Sequence, residues 1–227
     1  MPSFHDQEFG EVTIRRSGKA RSMKASVAPN GTLRISLPSY VPIIMAKRMV
    51  SSSRQEIRKL FSSRTHLKFE DGMQIGKSHS LHVRQGSSLS LKRNGQQIIA
   101  TLGKEDLSSE QVQGAIRTEV LVALRKEAKH YLPKRLQHLA SEHGYTYKRI
   151  RFSHASTRWG SCSSNLTISL NIGLMMLPFE LIDYVLVHEL AHTKEMNHSP
   201  SFWKLVEMAD SNYMLHRKVM KSYNPGL

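Results

Sequence analysis

The chain has 227 residues, 39% of them apolar and 22% charged, enough to bury a core in one domain or two small ones. Lysine and arginine number 33 against 18 acidic residues, a net charge of +15, so the surface attracts anions: nucleic acid, nucleotides, acidic peptides or anionic membranes. A single cysteine, Cys162, excludes an internal disulfide framework and fits a reducing cytoplasm; the start MPSFHDQEFG lacks a signal-peptide core, and no apolar run is long enough to span a bilayer.

The first half reads as short strands and turns. EVTIRRS alternates Val12 and Ile14 with polar neighbours. KASVAPNGTLRISLP predicts a hairpin, with Asn30-Gly31 between two strands and Leu33, Ile35 and Leu37 on one face. Pro42 opens a predicted helix that runs to about Phe61. HSLHVR and SLSLKRNGQQIIATL, with an Asn94-Gly95 turn, predict further hairpins. No internal repeat or low-complexity tract is visible.

Character changes near Ser108. Ser108 and Gln111 are spaced as a capping box, and Val112, Ala115, Ile116, Val120, Ala123 and Leu124 recur at helical spacing. Pro133 is expected to end or kink this helix, and Gly144 to stop its second piece. RIRFSHASTRWGSCSSNLTISLNIGLMML reads as strand, loop, strand. Pro178 opens a helix through PFELIDYVLVHELAHTKE, Ser199-Pro200 starts another through SFWKLVEMA, and a short C-terminal helix follows. The expected class is α+β, with a β-rich N-terminal subdomain over 1–105 and a second domain over 106–227.

The chemistry concentrates in HELAHTKEMNH, His188 to His198. Residues four apart on a helix share a face, so His188 and His192 point the same way and can bind one zinc ion, leaving room for a third ligand and a water. Glu189, offset from both, is placed to take a proton from metal-bound water, as in the H-E-x-x-H motif of zinc hydrolases. Phe179, Leu181, Ile182, Val185, Leu186 and Leu190 make the helix apolar nearly all round, hence buried. Unpaired histidine and glutamate there would be destabilising without a task. His198, six residues past His192, is the favoured third ligand on the metzincin offset, although Glu195 stands where that motif has a turning glycine. Asn197 could supply the left-handed turn instead. Glu207 on the following helix is the competing ligand, read as a solvated residue.

Outside that helix, Arg158 could clamp a carboxylate or phosphate bidentately, and Gly160 permits close packing of the backbone. Trp159 reads as a core residue. Cys162 lies in a strand-like run with no activating partner, as an inert thiol does. In LTISLN, Ile168 and Leu170 alternate with Ser169 and Asn171; the strand is either an edge open to an extended peptide or covered on both sides. The basic charge is a solvated surface, a steering field for an anionic substrate, or a means of holding nucleic acid. No base-reading motif and no Walker-type loop accompanies it.

TRWGSCSSNLTISLN, LIDYVLVHELAH and MNHSPSFWKLV, in that order, resemble the YgjP-like family of zinc-dependent hydrolases, relatives of zincin-type and SprT-like metallopeptidases. The likeness is dense from about Leu132 to Arg217 and weaker before. It implies a zincin-like catalytic domain with His188, His192 and His198 as metal ligands and Glu189 as general base. It further implies that Arg158 to Cys162 form a turn and strand near the cleft.

The expectation is a cytoplasmic hydrolase with one zinc per chain and no membrane association. Three functions stay open: peptide-bond hydrolysis, pyrophosphate release from a nucleoside triphosphate by the same site, and a noncatalytic zinc-containing binding module. Peptide hydrolysis is preferred, and an intact Glu189 counts against the third, since a structural site needs no base and is usually closed by four ligands. The substrate is thus a peptide or a nucleotide, with nucleic acid a further partner for the basic surface. Oligomeric state is not legible.

Overall fold

Two four-stranded sheets repeat one strand order. In the first, β1 (Ser3–Asp6), β2 (Gly10–Ser17), β3 (Lys24–Val27) and β4 (Leu33–Pro38) lie in the order β1-β2-β4-β3. In the second, β5 (Gln74–Ile75), β6 (His79–Gln85), β7 (Ser90–Asn94) and β8 (Gln97–Leu102) lie in the order β5-β6-β8-β7. Each has a parallel central pair with an antiparallel strand on either side. Val12 and Ile14 face Leu33 and Ile35 in one, and Leu81 and Val83 face Ile98 and Ala100 in the other. Alternating burial needs apolar residues rather than particular ones, so the topology repeats without a legible sequence repeat.

The computed structural model describes residues 2–18, 20–28, 32–62 and 67–226. The chain divides into two units, Met1–Thr65 and His66–Leu227. In the first, Ile14, Leu33, Ile35 and Leu37 of the sheet form a core with Val50 and Ile57 of two helices, α1 (Ile44–Ser52) and α2 (Arg54–Ser62). One helix was expected from Pro42 to Phe61; it breaks at Ser53. The hydroxyls of Ser51 and Ser52 bond back to the carbonyls of Lys47 and Met49, at 3.1 and 3.2 Å. Serine competes in this way with the helix ladder, and three in a row end it. Arg54 pairs with Asp6 at 3.0 Å and Glu8 at 2.8 Å, tying α2 to the β1–β2 turn. β3 and β4 pair antiparallel as the hairpin predicts, while its Asn30-Gly31 turn lies outside the described residues.

The second unit is built around α3 (Glu110–Glu142). Its cap is Ser109, whose hydroxyl accepts from the Val112 N–H at 3.4 Å; Ser108 is instead held in the preceding turn by Asp106 at 2.7 Å. Pro133 lies inside α3 and does not end it, whereas Gly144, at φ +65°, follows its end as expected. The predicted hairpin turn at Asn94-Gly95 is present, with Gly95 at φ +60°. The second sheet does not belong with the N-terminal strands, as the division at 105/106 supposed. Its Leu81, Ile98 and Leu102 share one core with Val112, Ile116 and Val120 of α3.

A three-stranded sheet follows, β9 (Arg149–Ser153), β10 (Gly160–Cys162) and β11 (Thr167–Asn171), in the order β10-β11-β9. LTISLN is therefore the central strand, paired on both sides, and β10 is an edge. Helices α4 (Phe179–Ala191), α5 (Pro200–Ala209) and α6 (Tyr213–Val219) complete the unit. The class is α+β. Among the described residues no helix is long and apolar enough to cross a membrane.

Candidate active site

Helix α4 carries the site because it is a core helix with three polar interruptions at its end. Leu181, Ile182, Leu186, Val187 and Leu190 are buried, and Glu189 is buried with them, 5% exposed. His188 and His192 lie one turn apart with ring centroids 5.0 Å from each other. The chain then turns back: Thr193 and Lys194 N–H groups bond to the Leu190 and Ala191 carbonyls, at 2.9 and 3.1 Å. Asn197 is not left-handed, so the return is made without the turn chemistry its type suggested. It places His198 just before Ser199, whose hydroxyl caps α5 at the Phe202 N–H, 3.2 Å away.

The Nε2 atoms of His198 and His188 are 3.1 Å apart. One ligand nitrogen from each of His188, His192 and His198 falls within 4.8 Å of the others; among the described residues no other such group of His, Cys, Asp or Glu converges. Glu207 is exposed on α5 and outside the group. Phe202, fully buried, underlies all three imidazoles at ring-centroid distances of 4.9, 4.5 and 4.8 Å. Trp203 flanks His188 and His198.

These imidazoles suit a divalent cation. Burial first, then neighbouring His192, His198 and Arg217, push His188 down to about 3, so it stays neutral. Burial also lowers His192. Its Nδ1 lies 3.1 Å from the Glu195 carbonyl, which can only accept, so Nδ1 carries the proton and Nε2 presents a lone pair. Nδ1 of His188 is buried with no partner, as is Oε2 of Glu189. Burial raises Glu189 to about 8, against the opposing pull of Arg158. A buried carboxyl oxygen without a partner, beside three converging imidazoles, is the environment that a cation relieves.

The opposite wall is β10. Gly160, Ser161 and Cys162 bound a recess of about 250 Å³ with His188, Glu189, His192 and His198. Asn171, fully buried at the end of β11, fixes the approach to this strand: its amide donates to the carbonyls of Ala155 at 2.7 Å and Arg158 at 3.0 Å. Its own N–H donates to the Trp159 carbonyl at 2.8 Å. Arg158 is exposed, without a carboxylate partner among the described residues, and its charge reaches Glu189. Trp159 is half-buried, packing on the core as expected and also lining a second cavity beside the site. Burial, helped by the charge of Glu189, pushes the Cys162 thiol up to about 11, which disfavours the reactive thiolate.

Phe202, Asn171 and Arg217 escaped the sequence reading as site residues. The two aromatics four and five residues past His198 were the available signal for a platform under the cluster. Nothing local marked Asn171, whose partners lie up to 54 residues away.

Residues 21–223 match the metallopeptidase domain of the YgjP-like family. Among solved structures, the metallopeptidase zymogen abylysin of Pyrococcus abyssi is similar at 28% identity and a TM-score of 0.36, over 40% of this chain and 92% of that one. The metallopeptidase zymogen jannalysin of Methanocaldococcus jannaschii is 19% identical with a TM-score of 0.34, over 40% and 96%. No curated protein matches the chain. Since the family's domain spans all but the two ends of the sequence, this chain belongs to the YgjP-like family of metallopeptidases.

Proposed function

We propose that the chain is a zinc-dependent peptidase in which His188, His192 and His198 hold the metal and Glu189 is the general base. One observation supports this above the others: three converging imidazoles lie beside a buried carboxyl group whose Oε2 has no partner. When bound, a zinc ion supplies Lewis acidity, polarising a scissile carbonyl and making water easier to deprotonate. A bound cation's charge would oppose the rise that burial causes, so that Glu189 would be ionised, take up that proton and return it to the leaving amine. β10 lies at a sheet edge next to the cluster, so an extended peptide can pair with it through backbone hydrogen bonds. Arg158, exposed two residues before β10, is available to a carboxylate of the bound chain. Nucleoside triphosphate hydrolysis, the other substrate class, has only the net charge behind it.

The test is a side-by-side screen. An unstructured protein mixture is read by mass spectrometry for new termini, and nucleoside triphosphates are read for pyrophosphate release, with Glu189→Gln as the blank. New termini that vanish in the blank support the proposal, and general-base loss of about 10²- to 10⁴-fold is expected. Pyrophosphate release that depends on Glu189, with no new termini, overturns it.

A further inference from the structure

A second cavity, of about 380 Å³, opens beside the cluster and shares His188 and Glu189 with the smaller recess. That volume lies within the range of ligand pockets. A chain with its reacting bond at Glu189 can therefore extend a neighbouring residue into it. The walls are Trp159, Tyr184, Val185 and Met220, and two cations, Arg217 and Lys221, complete the lining.

The charge balance of this lining is one-sided. Its one carboxyl group is Glu189, which is buried and engaged in the proposed reaction. Neither Arg217 nor Lys221 has a carboxylate partner among the described residues. Arg217 is nevertheless held in place: its guanidinium lies 4.3 Å over the ring of Trp203. Trp203 in turn stacks on Tyr213 at 5.6 Å and on His198 at 5.7 Å. A guanidinium fixed by stacking keeps its donor edge free for a bidentate partner and loses little freedom on binding one.

We propose that this cavity is a specificity subsite that receives a carboxylate-bearing residue next to the scissile bond, with apolar walls holding its carbon chain and Arg217 and Lys221 pairing with its acid group. The carboxylate comes from an acidic side chain or from the C-terminus of the peptide. This inference rests on the peptidase reading and adds the substrate class to it.

Binding is measured in the full-length Glu189→Gln protein, loaded with zinc, by fluorescence anisotropy of labelled peptides. One pair of peptides differs by Glu against Gln at a single internal position, scanned along the peptide. A second pair differs by a free against an amidated C-terminus. The acid should bind at least about tenfold more tightly than its amide in one of the pairs, as expected for a charge-assisted pair. Arg217→Gln and, separately, Lys221→Gln should bring that ratio toward one. Lys218→Gln, exposed on the same helix and outside the cavity lining, should keep it. Whichever pair discriminates names the source of the carboxylate. Equal affinities in both pairs, no peptide binding, or a ratio unmoved in both Arg217→Gln and Lys221→Gln would overturn the proposal. So would binding of a nucleoside triphosphate through Arg217 with no discrimination between peptides. Cleavage by the wild-type protein is scored separately: cleavage without acid preference sinks the subsite alone, and acid-selective binding without cleavage sinks the peptidase reading alone.

Discussion

Glu189 fills the space that a side chain at Gly160 would need. A Cβ at Gly160 would stand 2.5 Å from Oε1 of Glu189 and 2.7 Å from its Cγ. The glycine is there for close approach, since its φ lies outside the left-handed region. β10 and α4 are thus packed backbone against carboxyl, which sets where the Glu189 carboxyl can sit.

Gly160→Ala should therefore displace Glu189 while leaving the three histidines in place. A misplacement of about 1 Å costs on the order of 10²-fold in rate. The expected result is a kcat lower by about that factor, with metal content unchanged. A variant with wild-type kcat would show that turnover does not depend on this packing.

The proposed metal ligands are separable by retention. Wild-type protein should hold about one zinc per chain, and His188→Ala, His192→Ala and His198→Ala should each lose it on dialysis against a weak chelator. Glu207→Ala should retain it, because Glu207 is exposed and outside the cluster. Elemental analysis giving loss in Glu207→Ala and retention in His198→Ala would move the third ligand to α5.

Phe202 offers a test of how the cluster is supported. It touches all three imidazole rings and is fully buried. Phe202→Ala should cost about 3–5 kcal/mol of stability and loosen the rings together. Phe202→Leu keeps most of the volume and should recover most of the stability, yet zinc should still be released faster than from wild type. Wild-type zinc release in Phe202→Leu would reduce the ring to a space-filler.

How much of this was legible varied with the range of the interaction. His188 and His192 could be read because a helix fixes the i,i+4 relation locally. His198 was reached by spacing, although the expected left-handed Asn197 does not occur. Ile168 and Leu170 announced a half-buried strand, but alternation is the same for a central strand and an edge, so β10 took the role weighed for β11. Leu81 and Ile98 announced buried faces without saying what buries them. Their partner α3 starts beyond the apparent break at Ser108, so the second sheet was assigned to the wrong half. Asn171 and Glu127 act through partners at long sequence separation, which no local pattern encodes.

Glu127 makes one contribution to the second unit's stability depend on acid. Its carboxyl, on α3, accepts from the N–H groups of Lys77 at 2.7 Å and Ser78 at 3.0 Å, from the Ser78 hydroxyl at 2.7 Å, and pairs with His79 Nδ1 at 2.5 Å. Burial alone would raise its pKa, but these hydrogen bonds outweigh burial and hold it below the ordinary 4.5. A carboxyl with a folded-state pKa below its unfolded value adds stability above the unfolded value, and that stability disappears as pH falls through the folded one. The ionised carboxyl thus ties the β5–β6 turn to α3, and its protonation weakens that tie. Glu127→Gln keeps the shape but replaces an anionic acceptor by a neutral amide, which should cost about 1–3 kcal/mol at pH 7. The difference between wild type and variant, measured from urea midpoints, should be constant from pH 7 to about 5 and shrink as pH drops below 4.5. A difference that stays constant into that acid range would mean that Glu127 contributes through shape and not through charge.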